Sequence, residues 1–313
     1  MTLLGLPNAG KSSFLNKLVG CDLAIVSPKA QTTWRILRGH VVRPGLELVL
    51  VDTPGVQEGS KALNLALARN AIRAVTAAKE GRETVAFLVD AKDLFERLKA
   101  GKPAALEAIP RVLEREGIRL PLAFDLIPTL NKSDLVKKPE DRARVEAHVV
   151  EVARKLAAAP KPCLWVSSRA GEGLENWITA VSALFPQVLP GALFEQDTLS
   201  DRNVRDFAAE YVREQCFLQL GEELPYSTAV QIGNFDEKDP KIIRIEAVLH
   251  VEQESQKRIV VGSHGSKIKS IGTRARNRIE TFLGRKVFLG LRVKVSPRWA
   301  REESQVKRFG YAE

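Results

Sequence analysis

The sequence predicts two domains of different class. The first is an α/β domain with a mostly parallel sheet flanked by helices, and the second is a smaller α+β domain. Three observations carry this prediction. Short apolar strands alternate with helical patterns as far as Phe185, the alternation that builds a parallel sheet. The stretch "FPQVLPGALFEQDTLSD" (185–201) then breaks the pattern with Pro, Gly and polar residues. Beyond it the order becomes helix, two strands, two helices and a strand. A chain of 313 residues, 44% hydrophobic and 27% charged, is long enough for two cores. No run approaches the ~18 apolar residues of a membrane span. The expected boundaries are a first domain over 1–188, a linker over 189–200 and a second domain over 201–313.

The first strand is only "TLL", followed by "GLPNAGKS" and a helix with Phe14, Leu15 and Leu18 at helical spacing. The loop fits G-x-x-x-x-G-K-[ST] as Gly5, Gly10, Lys11 and Ser12, in the strand–loop–helix setting that confirms the pattern. Asn8, Ala9, Gly10, Lys11, Ser12 and Ser13 then form an anion cradle. Backbone N–H groups and the helix N-terminus point at phosphates, and glycines remove Cβ atoms that would block approach. Lys11 reaches the outer phosphates and the Ser12 hydroxyl serves Mg²⁺. This loop alone leaves ATP and GTP both open.

Three further stretches decide for guanine. "ELVLVDTPGV" (47–56) is a buried strand ending in Asp52, which can hold Mg²⁺ through water, and Gly55, whose N–H can meet a γ-phosphate. "LIPTLNKSDL" (126–135) ends in Asn131, Lys132, Ser133 and Asp134. The Asp134 carboxylate can accept both N1–H and the exocyclic amine of guanine, a pair adenine lacks. Sites built to bond a particular donor reject analogues without it by roughly 10⁴–10⁵. "CLWVSSRAGEG" (163–173) places Ser167, Ser168 and Arg169 against guanine O6. Each piece alone reads as an ordinary turn; together, in this order and each after a strand, they make a GTP site. Its ligand lies at the carboxyl ends of the strands.

Between the first loop and Asp52 lies "SPKAQTTWRILRG" (27–39), polar enough for a switch segment. Thr33 is the expected γ-phosphate-sensing Mg²⁺ ligand, with Thr32 next in line. A second switch follows Gly55 through "VQEGSKALN". Val56 carries no group to orient an attacking water, so Lys11, Thr33, Gly55 and Asn8 are the candidate catalytic residues and slow intrinsic turnover is expected. Gln57, one place on, is a possible substitute for the missing polar group. Asn8 has two open roles: holding K⁺ beside the phosphates, or stabilising the turn of the loop.

In the second domain, "DRNVRDFAAEYVREQCFLQLGEELPY" reads as a long amphipathic helix capped by Asp201 and stopped by Gly221. "STAVQIGNF" and "KIIRIEAVLHVE" read as strands around "DEKDP". "SQKRIVVG", the loop Gly262-Ser263-His264-Gly265, the helix "SKIKSIGTRARNRIETFL" and the strand "KVFLGLRVKV" follow. This is the plan of a type II KH domain, whose G-x-x-G loop clamps the backbone of about four nucleotides. Lys257, Arg258, Lys267, Lys269, Arg274 and Arg276 surround the loop, and between 257 and 294 only Glu280 interrupts the cations. Much of the net charge of +10 is therefore local to it, which favours a polyanion. Ile259, Val260, Ile268 and Ile271 are expected in the core, some of them also flooring a base groove. His264 is either a phosphate or base contact or an exposed loop residue.

With "PNAGKSSFLNKL", "SPKAQTTW", "DTPG", "NKSD", "ELPYSTAVQI", "GSHGSKIKSIGTRAR" and "VKVSPRWARE" in view, the whole chain resembles the Era family of bacterial and organellar GTPases. The resemblance implies a P-loop GTPase domain followed by a type II KH domain, using GTP/GDP and Mg²⁺. It also implies binding to the 3′ end of small-subunit ribosomal RNA and a role in small-subunit assembly, with GTP favouring the RNA-binding state. Ser168 stands where the family usually has Ala, Trp34 where it has Arg, and 93–130 is longer than typical. Two other readings stay open: an RNA-binding scaffold whose first domain does not hydrolyse GTP, and a signalling GTPase at a membrane surface. Three distant cysteines and four scattered histidines point to neither a disulfide framework nor a metal cluster. The expected setting is the bacterial cytoplasm, or an organelle matrix if a targeting segment precedes this sequence. The expected chain is a monomer that does not bind DNA and has at most weak membrane association.

Overall fold

The computed structural model describes residues 1–27, 29, 31–57, 62–80, 84–185 and 199–311, with side chains of 76–80 left aside. The chain divides into two compact units. One comprises 1–24, 33–60 and 67–201; the other comprises 25–32, 61–66 and 202–313. Most of the linker predicted over 189–200, and part of the second switch, lie outside the described residues.

The first unit runs β1 (Thr2–Leu4), α1 (Lys11–Val19), β2 (Leu37–Arg43), β3 (Leu46–Asp52), α2 (Ala62–Glu80), β4 (Val85–Asp90) and α3 (Ala91–Lys99). A 3₁₀ turn (Ala105–Glu107), α4 (Ala108–Arg115), β5 (Leu126–Asn131), α5 (Pro139–Leu156), β6 (Leu164–Trp165) and α6 (Leu174–Ser182) follow. The sheet order is β2-β3-β1-β4-β5-β6. All pairs are parallel except β2 with β3. β1 and β4 read as unbroken apolar runs because strands covered on both faces have no solvent side. Trp177 packs edge-on against Phe14 at 4.8 Å and donates its indole N–H to Thr129 Oγ1 at 3.0 Å, so α6 and α1 are fixed on one side of the sheet. The long 93–130 segment builds part of a core with β1, β4, β5, α2 and α5: Leu94, Leu106, Ile109, Val112, Leu113 and Leu122 are all buried in it. Trp34, the departure in the first switch, is buried as well.

The second unit contains α7 (Val204–Gln219), β7 (Ala229–Asp236), β8 (Ile242–Val251), α8 (Glu254–Val261), α9 (Ser266–Leu283), β9 (Lys286–Val295) and α10 (Glu303–Arg308). Its sheet is ordered β7-β8-β9, antiparallel then parallel. Phe207 and Tyr211 on α7 meet Phe282 on α9 at 5.0 and 5.4 Å. Three local expectations need correction. The cap of α7 is Asn203, whose side chain accepts from the Asp206 amide, whereas Asp201 pairs with Arg38 at 2.8 Å. The helix ends one residue before Leu220 rather than at Gly221. Ile259 is 57% exposed, not core, while Val260 and Ile271 are fully buried. An unforeseen helix, α10, follows Trp299, whose buried indole donates to Ser227 O at 2.9 Å.

Replacing Asn203 with Ala removes an acceptor from the first turn of α7 and should lower stability by about 1 kcal/mol. Asp201→Ala, which breaks only an exposed ion pair, should stay within about 0.5 kcal/mol of wild type. Denaturant unfolding of the two variants measures both; equal losses would return the cap to Asp201.

Candidate functional site

In the first unit the sheet order brings the ends of β3, β1, β4 and β5 side by side, and the loops after them form one site. The loop after β1 enters α1 through Gly10, which has φ +88°. A Cβ there would lie 2.2 Å from Asn131 Nδ2, and one on Gly55 would lie 2.4 Å from Pro7 N. Close approach requires both glycines, and Gly10 is required by its backbone conformation as well. Lys11, Ser12 and Ser13 make the first turn of α1, where N–H groups have no upstream carbonyl to bond.

Lys11 is buried, and its ammonium donates to Gly5 O at 3.2 Å and Leu6 O at 2.9 Å. Burial pushes its pKa down to about 8, against the opposing pull of the Asp52 carboxylate. Ser12 Oγ donates to Asp52 Oδ2 at 2.7 Å. Thr33 Oγ1 lies 2.8 Å from Ser12 Oγ and 3.3 Å from the same carboxylate oxygen. Three oxygen donors thus converge, the hard set suited to Mg²⁺, whose octahedral neighbours stand about 2.9 Å apart at its usual bond length. The residues fit that ion. Thr33 takes this place, and Thr32 does not.

Asn131 Nδ2 donates to Ala9 O at 3.0 Å, while its Oδ1 accepts from the amides of Lys132 and Ser168 at 2.9 and 3.0 Å. The Ser168 hydroxyl adds a third bond at 3.0 Å, so this departure from the family strengthens the same contact. Ser167 Oγ donates to Asp134 Oδ1 at 2.7 Å, which orients the carboxylate. Arg169 is exposed at the rim. Sequence reasoning missed Asp90. It caps α3 by accepting from the amides of Lys92 and Asp93 and pairs with Lys132 Nζ at 2.5 Å. Its signal is visible afterwards in "FLVD", an apolar strand ending in a carboxylate before a helix.

Val56 is fully buried and its N–H bonds Gly5 O at 3.1 Å. Its side chain therefore belongs to the core. Asn8, at φ +63°, and Gln57 both line a cavity of about 450 Å³ that also touches Asp90 and Arg97.

The second group of predicted residues forms a separate site in the second unit. Gly262 ends α8 at φ 73°, ψ 173°, a region open essentially to glycine alone. A Cβ there would also sit 2.7 Å from that of Lys267. Gly265 starts α9 at φ 77° with open space around it, so only its backbone angle demands glycine. His264 takes φ 48° between them and is exposed with Ser263. Arg258, Lys269, Arg274 and Arg276 are exposed, Lys257 and Lys267 half-buried. The cations flank the N-terminus of α9, whose dipole has the same sign.

A family profile described as "50S ribosome-binding GTPase" matches residues 1–118, and one described as "KH domain" matches 223–300. GTPase Era of Stenotrophomonas maltophilia (strain R551-3) is 38% identical over 313 residues, covering 99% of this chain and 96% of that protein. GTPase Era of Geobacter sp. (strain M21) is 35% identical over 311 residues with the same coverages. The chain belongs to the Era family of GTPases. Era in complex with MgGDPNP and nucleotides 1506–1542 of 16S ribosomal RNA is similar in structure, with TM-score 0.86 at 30% identity over 100% of this chain and 98% of that one. An Aquifex aeolicus Era variant bound to GDP·AlF4⁻ gives 0.84 at 29% identity, with the same coverages. Era membership makes this chain a GTP hydrolase with Mg²⁺ as its ion, and the chain carries a P-loop GTPase domain and a KH domain.

Two outcomes follow from the geometry. Gly10→Ala should reduce GDP affinity by at least a hundredfold, because the added methyl forces Asn131 out of place and disfavours φ +88° by about 1–2 kcal/mol on its own; equilibrium titration with a fluorescent GDP measures it. Anionic phosphates favour the charged form of Lys11. Above pH 8 the free protein holds this lysine neutral, so binding must draw in a proton and GDP affinity should fall by up to tenfold per pH unit. Calorimetry in buffers of different ionisation enthalpy would show this uptake, and a flat profile from pH 7.5 to about 9.5 would reject it.

Proposed function

We propose that this chain is a GTP-hydrolysing switch whose KH domain binds the 3′ region of small-subunit ribosomal RNA and assists assembly of that subunit. The observation that carries the reading is the backbone of the G-x-x-G loop. Gly262 occupies a glycine-only conformation and Gly265 opens α9 beneath a row of cations, the arrangement a ribose-phosphate strand needs. The Era complex with 16S nucleotides supports the choice of RNA.

In the GTP site, the amides of residues 9–13 and the Lys11 ammonium take the phosphate charge. Asp134, oriented by Ser167, takes the guanine N–H pair, and the stem of Lys132, held by Asp90, lies beside it. Ser12, Thr33 and Asp52 would hold Mg²⁺, which would supply positive charge against the phosphates. Thr33 and the Gly55 amide belong to segments able to sense a γ-phosphate. Positioning of the attacking water falls to no residue at 56, because Val56 is turned inward; turnover is correspondingly slow unless Asn8, Gln57 or a partner supplies that role.

The full chain carrying Gly262→Asp and Gly265→Asp should lose at least a hundredfold in affinity for an RNA of the small-subunit 3′ sequence, with GDP affinity unchanged within twofold. Filter binding with GDP and with a non-hydrolysable GTP analogue measures both. Wild-type protein that fails to hold this RNA at ordinary ionic strength would end the reading.

A further inference from the structure

Helices α7 and α9 cover one face of the β7-β8-β9 sheet, burying Ile243, Ile245, Ala247 and Leu249. The G-x-x-G loop belongs to that helical layer, since α9 starts from it. Among the described residues the opposite face is covered only at one end, where Phe309 stands 4.6 Å from His250. The remainder is open, and its composition is unusual. Phe288 is 52% exposed there. Register places Arg244 directly beside it, and Lys286, Arg292 and Lys294 alternate with it along β9. On the sheet these four cations face two carboxylates, Glu246 and Asp236, and Lys286 is paired besides with Glu280 of α9 at 3.6 Å. Arg244 and Lys294 take part in no ion pair among the described residues, and Arg292 meets Glu246 only in an exposed pair at 3.4 Å. Gly290 keeps its place on this face without a side chain; a Cβ there would lie 3.7 Å from the Phe288 ring. One side of the ring is thereby left accessible.

We propose that this open sheet face is a second RNA-binding surface, with Phe288 as a stacking platform for a base and Arg244, Arg292 and Lys294 as phosphate contacts. An exposed aromatic within a cationic track is how single-stranded nucleic acid is held without strict sequence preference. A G-x-x-G clamp occupies about four nucleotides, whereas the RNA in the Era complex spans nucleotides 1506–1542. Most of such an RNA has to be held, or left loose, outside the clamp. The proposal rests on the RNA-binding reading above but concerns a different face.

Full-length protein is titrated with two RNAs of small-subunit 3′ sequence: one of about six nucleotides, enough for the loop alone, and one of ~40 nucleotides. Phe288→Ala should weaken the long RNA about tenfold and leave the short one within twofold, while Phe288→Trp retains wild-type affinity. Arg244→Ala with Lys294→Ala should lower the salt dependence for the long RNA by about two phosphate contacts. A fluorescent base analogue in the long RNA should lose its stacking quench only in Phe288→Ala. Equal binding of the long RNA by all these variants overturns the proposal. So does a loss confined to anionic phospholipid vesicles. If wild type binds neither RNA, or the doubly substituted loop still binds the short one, the clamp reading fails instead. Melting temperatures equal to wild type exclude unfolding as the cause.

Discussion

Asn131 holds three loops of the GTP site in one frame. Its amide reaches the carbonyl of Ala9 in the phosphate loop, and its oxygen collects the amides of Lys132 and Ser168. The residue is buried, so each of these polar groups would otherwise sit away from water with its bonding unmet. The base-reading segments and the phosphate-reading segment therefore cannot move independently. The same side chain fills the space that forbids a Cβ at Gly10. Close approach is thus enforced from both directions: the asparagine needs the glycine, and the loop conformation needs the asparagine.

Around that frame the site concentrates unfavourable electrostatics where a ligand can relieve them. Holding Lys11 charged at neutral pH, with its pKa pushed down to about 8 from 10.5, costs the fold about 3 kcal/mol. Opposite it, Ser12, Thr33 and Asp52 bring three oxygens together. A nucleotide tail with its cation satisfies both groups at once, which makes the affinity of each dependent on the other. The KH unit uses a different strategy. Its clamp is made of backbone angles and helix polarity, with most of its cations exposed and well hydrated, so its grip on a polyanion depends on salt.

Much of the site was legible because its chemistry is local. Gly10, Lys11, Ser12, Asp52, Asn131 and Asp134 each stand where a strand turns into a loop, and such turns announce themselves by residue type and spacing. Asp90 was not legible, since a strand-end carboxylate has many uses, and only the parallel pairing of β4 with β5 sets it beside Lys132. Ser168 carried no signal of its role, since its hydroxyl bond to Asn131 joins segments 37 residues apart. The choice of Thr33 over Thr32 was favoured by pattern, yet the converging oxygens are a tertiary fact.

By itself the sequence determined the class of both units and most of the order of their elements, because periodicity and turn chemistry act over a few residues; α10 carried no such signal. Tertiary structure decided the rest. Asn203 rather than Asp201 caps α7, because the helix starts at Val204 and only Asn203 stands directly before it. Ile259 is exposed and Trp299 buried because of what packs beside each. The open, cationic face around Phe288 exists only through the pairing of β8 with β9. Contacts between distant segments carry no short-range signature, and burial depends on which faces meet.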